Sequence, residues 1–270
     1  MRKAFFPFSL SSTLIVCKLM DRDQSFFSKA MGYAWRRFAP FEASLPESSA
    51  EELRIISEVK PFTMTSPERI YGLINAVRYL IGNKIGGDFV ECGVWKGGSM
   101  MAVAKTLLSL NSSDRELHLF DTYAGMTAPT AKDGTRFARE TPDQMFVQSK
   151  NRDGSSQWCY SSLEETRRNM LSVRYPEEKI HFIKGPVEET IPQHAPTKIA
   201  LLRLDTDFYE SSKHEMIHLF PRLVSGGVLL LDDYGHWEGQ RAAVDEYLTE
   251  HKISLLLNRL DYTGRVGIKL

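Results

Sequence analysis

Apolar residues fall into a regular alternation along this chain. From Gly87 onward, short β-branched and apolar runs alternate with longer amphipathic stretches, the pattern of parallel strands joined by crossover helices. The runs occupy 88–91, 116–120, 179–184, 198–204, 227–231, 254–260 and 265–269. Ile199-Ala200-Leu201-Leu202 and Val228-Leu229-Leu230-Leu231 are continuously apolar, which predicts strands buried on both faces. Only Asp261-Tyr262-Thr263-Gly264 separates the last two runs, so they are expected to pair as an antiparallel hairpin. The prediction is an α/β fold of three layers, a seven-stranded and mostly parallel sheet whose last strand is antiparallel.

Ahead of the sheet, Ser66-Pro67-Glu68 predicts a helix running to about Ile81, with Ser66 as cap and Pro67 in its first turn. Residues 1–58 read as a helical N-terminal extension and 59–270 as the main domain. Between 127 and 158 the chain is polar, irregular and too long for an ordinary strand-to-helix connection. It reads either as a lid or acceptor-binding insertion or as a disordered surface loop.

Composition narrows the function classes. The 270 residues are 42% hydrophobic, enough for a substantial core, and 34 basic side chains balance 34 acidic ones. A neutral chain has no basic stripe for nucleic acid and no field for an anionic membrane, so neither is an expected partner. Cys17, Cys92 and Cys159 have no metal-ligand spacing, which points to a reducing compartment, by default the cytoplasm. Phe5 to Met20 follows Met1-Arg2-Lys3 as in a signal peptide, but Pro7, Lys18 and a run of serines interrupt it. An apolar terminal segment of this kind needs covering, which a second copy can supply, so a homo-oligomer is expected.

In an open α/β sheet, ligands sit beyond the carboxyl ends of the strands, so the residues after each run carry the chemistry. The first such loop is Glu91-Cys92-Gly93-Val94-Trp95-Lys96-Gly97-Gly98-Ser99, a glycine-rich turn leading into a helix start with free amide donors. Lys96 precedes the glycine pair, so the nucleoside-triphosphate pattern fails, and the Gly93 to Gly97 spacing breaks the dinucleotide fingerprint. Glu91 would repel a pyrophosphate yet suits the ammonium and sulfonium of S-adenosylmethionine. Asp121 ends the second run, where a carboxylate can accept ribose hydroxyls or cap the next segment. Thr122 follows it. Gly185-Pro186-Val187-Glu188 ends the third run and would edge an adenine, although Glu188 equally suits a solvated helix start.

Acids gather after the fourth and fifth runs, as Asp205-Thr206-Asp207 and Asp232-Asp233. Crowded carboxylates repel one another, and a hard cation with oxygen ligands relieves that cost, so magnesium or calcium fits better than zinc. Helix capping by Asp232 or Asp233 is the plainer alternative. Such an ion can bind an acceptor hydroxyl and lower its pKa, with Asp205 as ligand and proton acceptor. His236 is a second candidate base, or a structural histidine.

These segments, with Lys60-Pro61-Phe62-Thr63-Met64-Thr65-Ser66-Pro67-Glu68-Arg69, Leu202-Arg203-Leu204-Asp205-Thr206-Asp207-Phe208-Tyr209-Glu210-Ser211 and Leu231-Asp232-Asp233-Tyr234-Gly235-His236-Trp237, together resemble the macrocin O-methyltransferase family. Its members are metal-dependent enzymes that methylate sugar hydroxyls of natural products. The similarity runs from about Val59 to the C-terminus. The resemblance implies a class I, Rossmann-like methyltransferase fold and magnesium held by Asp205, Asp232 and Asp233. It also implies that Glu91, Gly93, Trp95 and Ser99, in the turn that includes Gly97, hold the amino-acid end of S-adenosylmethionine. By the same likeness Asp121 with Thr122 would take the ribose, Gly185, Val187 and Glu188 the adenine side, and Thr63, Met64 and Thr65 would cover the methionine portion. The expected activity is methyl transfer to a hydroxyl of a small molecule, a sugar above all. The alternative is a protein that binds S-adenosylmethionine without catalysis. Residues 1–55 and 127–158 lie outside the likeness, so the acceptor is not inherited with it.

Overall fold

The computed structural model describes residues 44–135, 137, 139–151 and 155–270, and the account below concerns 48–270. Most of the expected N-terminal extension, with Phe5 to Met20 and Cys17, lies outside the described residues.

The sheet follows from the uninterrupted apolar runs. Strands β1 (Asp88–Cys92), β2 (Leu117–Asp121), β3 (Ile180–Lys184), β4 (Ile199–Leu204), β5 (Leu223–Leu231), β6 (Asn258–Arg259) and β7 (Arg265–Ile268) are ordered β3-β2-β1-β4-β5-β7-β6. The first five are mutually parallel, and β7 runs antiparallel to β5 and β6. Every residue of β4 is buried, as expected of a central strand covered on both faces. The last hairpin forms as expected, but β6 is two residues long where 254–260 is expected. Leu255 and Leu257 pack against the core while Leu256 is 84% exposed, so this edge segment lies along β7 without completing a ladder.

Helices α1 (Ala50–Val59), α2 (Pro67–Gly82), α3 (Gly98–Ser109) and α5 (Leu163–Ser172) pack together on one side of the sheet. Helices α6 (Val187–Thr190), α7 (Tyr209–His218) and α8 (Glu238–Glu250) cover the other, where Met216, Leu219, Val244 and Tyr247 close over Val90, Leu202, Leu204 and Leu229. Ser49 and Glu52 form a reciprocal capping box at the start of α1, and Ser66 caps α2 with Pro67 in the first turn. The polar segment 127–158 contains helix α4 (Pro142–Ser149), started by a Thr141 and Gln144 capping box. No helix among the described residues is long and apolar enough to cross a membrane.

Register places the site. Cys92 lies opposite Phe120 and Leu204, and Leu204 lies opposite Leu231, so β1, β2, β4 and β5 end level. Asp121, Asp205 and Asp232 are therefore set side by side at one edge of the sheet.

Candidate active site

A cavity of about 360 Å³ opens beyond these strand ends. Its walls include Thr63, Met64, Thr65, Gly93, Trp95, Ser99, Asp121, Thr122, Gly185, Val187 and Glu188, together with Asp205, Asp232, Asp233 and His236. Of the residues singled out from sequence, Glu91 and Gly97 do not line it. Gly97 faces Met170 and Thr166 of α5, and the carboxylate of Glu91 is fully buried against Arg203.

The glycine-rich turn is built by close backbone packing. Gly93 has φ +82°, and a Cβ there would stand 2.0 Å from the carbonyl oxygen of Asp205. The glycine thus lets the end of β1 touch the acid-bearing loop after β4. Asp121 braces the same turn: one carboxylate oxygen accepts from the backbone N–H of Val94 at 2.7 Å and Trp95 at 3.0 Å, the other from Tyr123 at 2.6 Å. Burial pushes its pKa up, against these N–H bonds. From α5, Thr166 donates to the carbonyl of Trp95 at 2.6 Å. The ribose role expected of Asp121 is joined here by a structural one.

Beneath the cavity lies a buried ion network whose hub is Arg203, 2% exposed. Its Nη1 meets Glu91 and, at 2.7 Å, Asp205, while its Nη2 meets Asp232 at 2.6 Å and donates to Thr65 Oγ1 at 2.9 Å. Arg69, projecting from the second residue after the Ser66-capped turn begins, also pairs with Asp232, and its Nε lies 3.0 Å from Asp261. Burial pushes Glu91 up to about 8, with Arg203 opposing it. Burial likewise pushes Asp205 and Asp233 upward, and mutual repulsion adds to it.

Asp205, Asp207 and Asp233 each offer an oxygen, and these oxygens lie within 4.8 Å of one another. Burial, with the charges of Asp205 and Asp232 behind it, holds Asp207 up at about 7. A hard divalent ion fits this all-oxygen set, because it would neutralise carboxylates that otherwise resist ionisation together. The sequence-derived trio contained Asp232 where the geometry has Asp207, since two arginines occupy Asp232. His236 lies on the turn after Asp233, stacked on Phe137 at 5.3 Å with Tyr262 Oη 3.3 Å from its Nδ1. Burial lowers its pKa, helped by Arg69, so the imidazole is neutral at pH 7.

Arg69, Arg203 and the cavity-lining Trp158 escaped the sequence reading. A signal existed for Arg203, the lone charge in the apolar run Ile199–Leu204. Trp158 had none: it closes an aromatic triad with Phe208 and Trp237, at 5.9 Å from each, across more than forty residues of sequence.

Comparison with known proteins fits this geometry. The family model described as macrocin-O-methyltransferase (TylF) matches residues 22–266. Demethyldecarbamoylnovobiocin O-methyltransferase of Streptomyces niveus is 30% identical over 202 residues, covering 75% of this chain and 73% of the relative. Mycinamicin III 3''-O-methyltransferase of Micromonospora griseorubida is 28% identical over 217 residues, 79% of this chain and 82% of the relative. Among solved structures, the O-methyltransferase NovP superposes with a TM-score of 0.67 at 28% identity, covering 77% of this chain and 82% of its own.

Proposed function

The chain belongs to the macrocin O-methyltransferase family, and we propose that it methylates a hydroxyl on a sugar of a small natural product, with a divalent cation at the acid cluster. That it is an S-adenosylmethionine-dependent O-methyltransferase of class I fold rests on the family and on the structural neighbour. The observation that carries the finer reading is the convergence of Asp205, Asp207 and Asp233 on the wall of the same cavity that holds the glycine-rich turn. Two relatives, named for methylation of demethyldecarbamoylnovobiocin and of mycinamicin III, support a natural-product acceptor.

S-adenosylmethionine, when bound, supplies an electrophilic methyl group on a sulfonium. A magnesium ion held by Asp205, Asp207 and Asp233 would supply Lewis-acid polarisation of an acceptor hydroxyl. The protein's own groups do the rest. The Gly93 turn, Ser99 and the Thr63-Met64-Thr65 segment, which line the cavity, would enclose the methionine end, and Asp121 would take the ribose. Arg203 fixes Asp205 and Asp232 from below, so these carboxylates are oriented before any ligand arrives. His236, at the cavity wall and with its pKa lowered by burial, would take the hydroxyl proton.

The test is methyl transfer from labelled S-adenosylmethionine to a panel of glycosylated natural products, with magnesium and with a chelator. Transfer to a sugar hydroxyl that stops on chelation is the expected result. Transfer that persists in chelator overturns the cation, and S-adenosylmethionine binding with no transfer to any glycoside overturns the acceptor class.

A further inference from the structure

The geometry points to Asp133, in the segment before α4, as a positioning residue that ties the insertion to the acid-bearing loops. This inference rests on the reading above that those acids form the reacting centre.

Asp133 is 3% exposed, although it stands in the polar segment 127–158. Its Oδ1 accepts from the backbone N–H of Tyr209 at 2.7 Å, and its Oδ2 from the N–H and hydroxyl of Thr130 at 2.7 and 2.9 Å. Tyr209 is the first residue of α7, and the residue in capping position, Phe208, has no side chain able to cap. The cap is supplied instead from 76 residues away. The same holds for α8, whose capping position is Trp237: the carbonyl of Gly134 accepts from Glu238 N–H at 2.8 Å, and Thr135 bridges to Trp237. A Cβ on Gly239 would lie 2.0 Å from Asp133 Oδ1, so the carboxylate is wedged between the first turns of both helices.

These two helices begin directly after the acids. The loop before α7 carries Asp205 and Asp207, and the loop before α8 carries Asp232 and Asp233. Asp207 has φ +68°, a conformation that a non-glycine residue keeps only when its surroundings hold it. Asp133 holds the residue two positions further on. A carboxylate that accepts the first N–H of a helix, as Asp133 does from Tyr209, is favoured by the dipole as well. The insertion and the acid cluster are therefore one unit: an insertion that lets go of Tyr209 also releases the loop that aims Asp207 at Asp205 and Asp233.

The experiment compares wild type, D133A, D133N and T130A as full chains. D133N keeps an oxygen for the Tyr209 N–H but sets an amide NH2 against the Thr130 donors, so it is a partial rescue, and T130A loosens Asp133 mildly should D133A fail to fold. Amide hydrogen exchange and calorimetric titration with S-adenosylhomocysteine and Mn²⁺ are measured on each. In D133A, segments 205–212 and 233–240 are expected to exchange about tenfold faster or more, with α2 and α3 unchanged. Mn²⁺ affinity should fall by about tenfold, while S-adenosylhomocysteine affinity stays within about twofold. T130A should move both in the same direction by about threefold, and D133N, which keeps the Tyr209 cap alone, should fall between D133A and wild type. Wild-type exchange and Mn²⁺ affinity in D133A, or a loss spread evenly over the whole chain, overturns the inference. Should the wild-type protein bind no Mn²⁺, the cation reading fails separately, and the position of the exchange change alone decides the role of Asp133.

Discussion

Replacing Arg203 by methionine removes the side chain that touches Glu91, Asp205 and Asp232 together, while keeping most of its volume. Breaking a buried ion pair from one side costs about 3–5 kcal/mol, because the partner charges are left in a poorly solvating interior. For a domain of this size about 1 kcal/mol moves the melting temperature by about 2–4 °C, so R203M should melt about 6–20 °C below wild type. The loss has a definite pH dependence. Glu91 has its folded pKa raised to about 8 from 4.5, so its contribution is fully present below about 4.5 and is lost as pH rises through 8. Without the guanidinium, the burial of Glu91 and Asp205 is opposed by less, so the penalty of ionising them grows with pH. Scanning calorimetry at about pH 5.5 and pH 8.5 in chelator should therefore show the larger R203M deficit at the higher pH. Adding E91Q to R203M removes one of the stranded carboxylates, and the pair should be non-additive by about 1 kcal/mol or more in the stabilising direction. An R203M melting point within about 2 °C of wild type at pH 8.5, or a deficit larger at pH 5.5, would refute the hub.

Other outcomes follow from the same geometry. D207N should weaken Mg²⁺ binding by about tenfold or more with a near-native melting temperature, whereas D232N should act first on stability by releasing Arg69 and Arg203; titration and calorimetry on both separate the donor sets. D121A removes the brace on Val94, Trp95 and Tyr123 and should lower S-adenosylmethionine affinity by about tenfold to a hundredfold, read by calorimetric titration. Because the His236 pKa is lowered from 6.5, the acid limb of kcat/KM should fall below that value, and H236Q should lose about a hundredfold in kcat along with the limb. S49A breaks the capping box of α1 and should cost about 1 kcal/mol, visible as a melting shift with unchanged ligand affinity.

What the sequence revealed and what it hid divide along one physical line. Strands such as Ile199–Leu204, the Ser66 cap and the reversal before β7 are written in local periodicity and turn residues, and the parallel register then carries Asp205 and Asp232 to one edge without further information. Pairing across the chain is not local. That Asp232 is taken by Arg69 and Arg203, leaving Asp207 to complete the oxygen cluster, depends on contacts across 163 and 29 residues that no spacing rule encodes. Glu91 shows the same limit from the other side: an acid at the end of β1 is easy to find, but its inward orientation toward Arg203 is set by the neighbouring strand. The edge segment 254–257 was misread because its leucines satisfy strand composition, and composition does not report whether a ladder partner remains.

The buried charges also bear on why the site is built this way. Arg69 and Arg203 add two positive charges under a crowd of carboxylates, and both face Asp232, which sits deepest among the four aspartates in the measure of its pairing. All four line the cavity, and Asp207 and Asp233 are the ones without an arginine in contact among the ion pairs described. Arg203 and Arg69 thus neutralise Asp205 and Asp232, while burial first and neighbouring carboxylates second raise the pKa of Asp207 and Asp233, so an added cation would gain most there. A cation held there would relieve a cost that folding has already imposed. On this reasoning the affinity for the cation should rise with pH through the range near 7 in which Asp207 ionises, and a flat pH profile of Mg²⁺ affinity between about pH 6 and pH 8 would place the cation elsewhere.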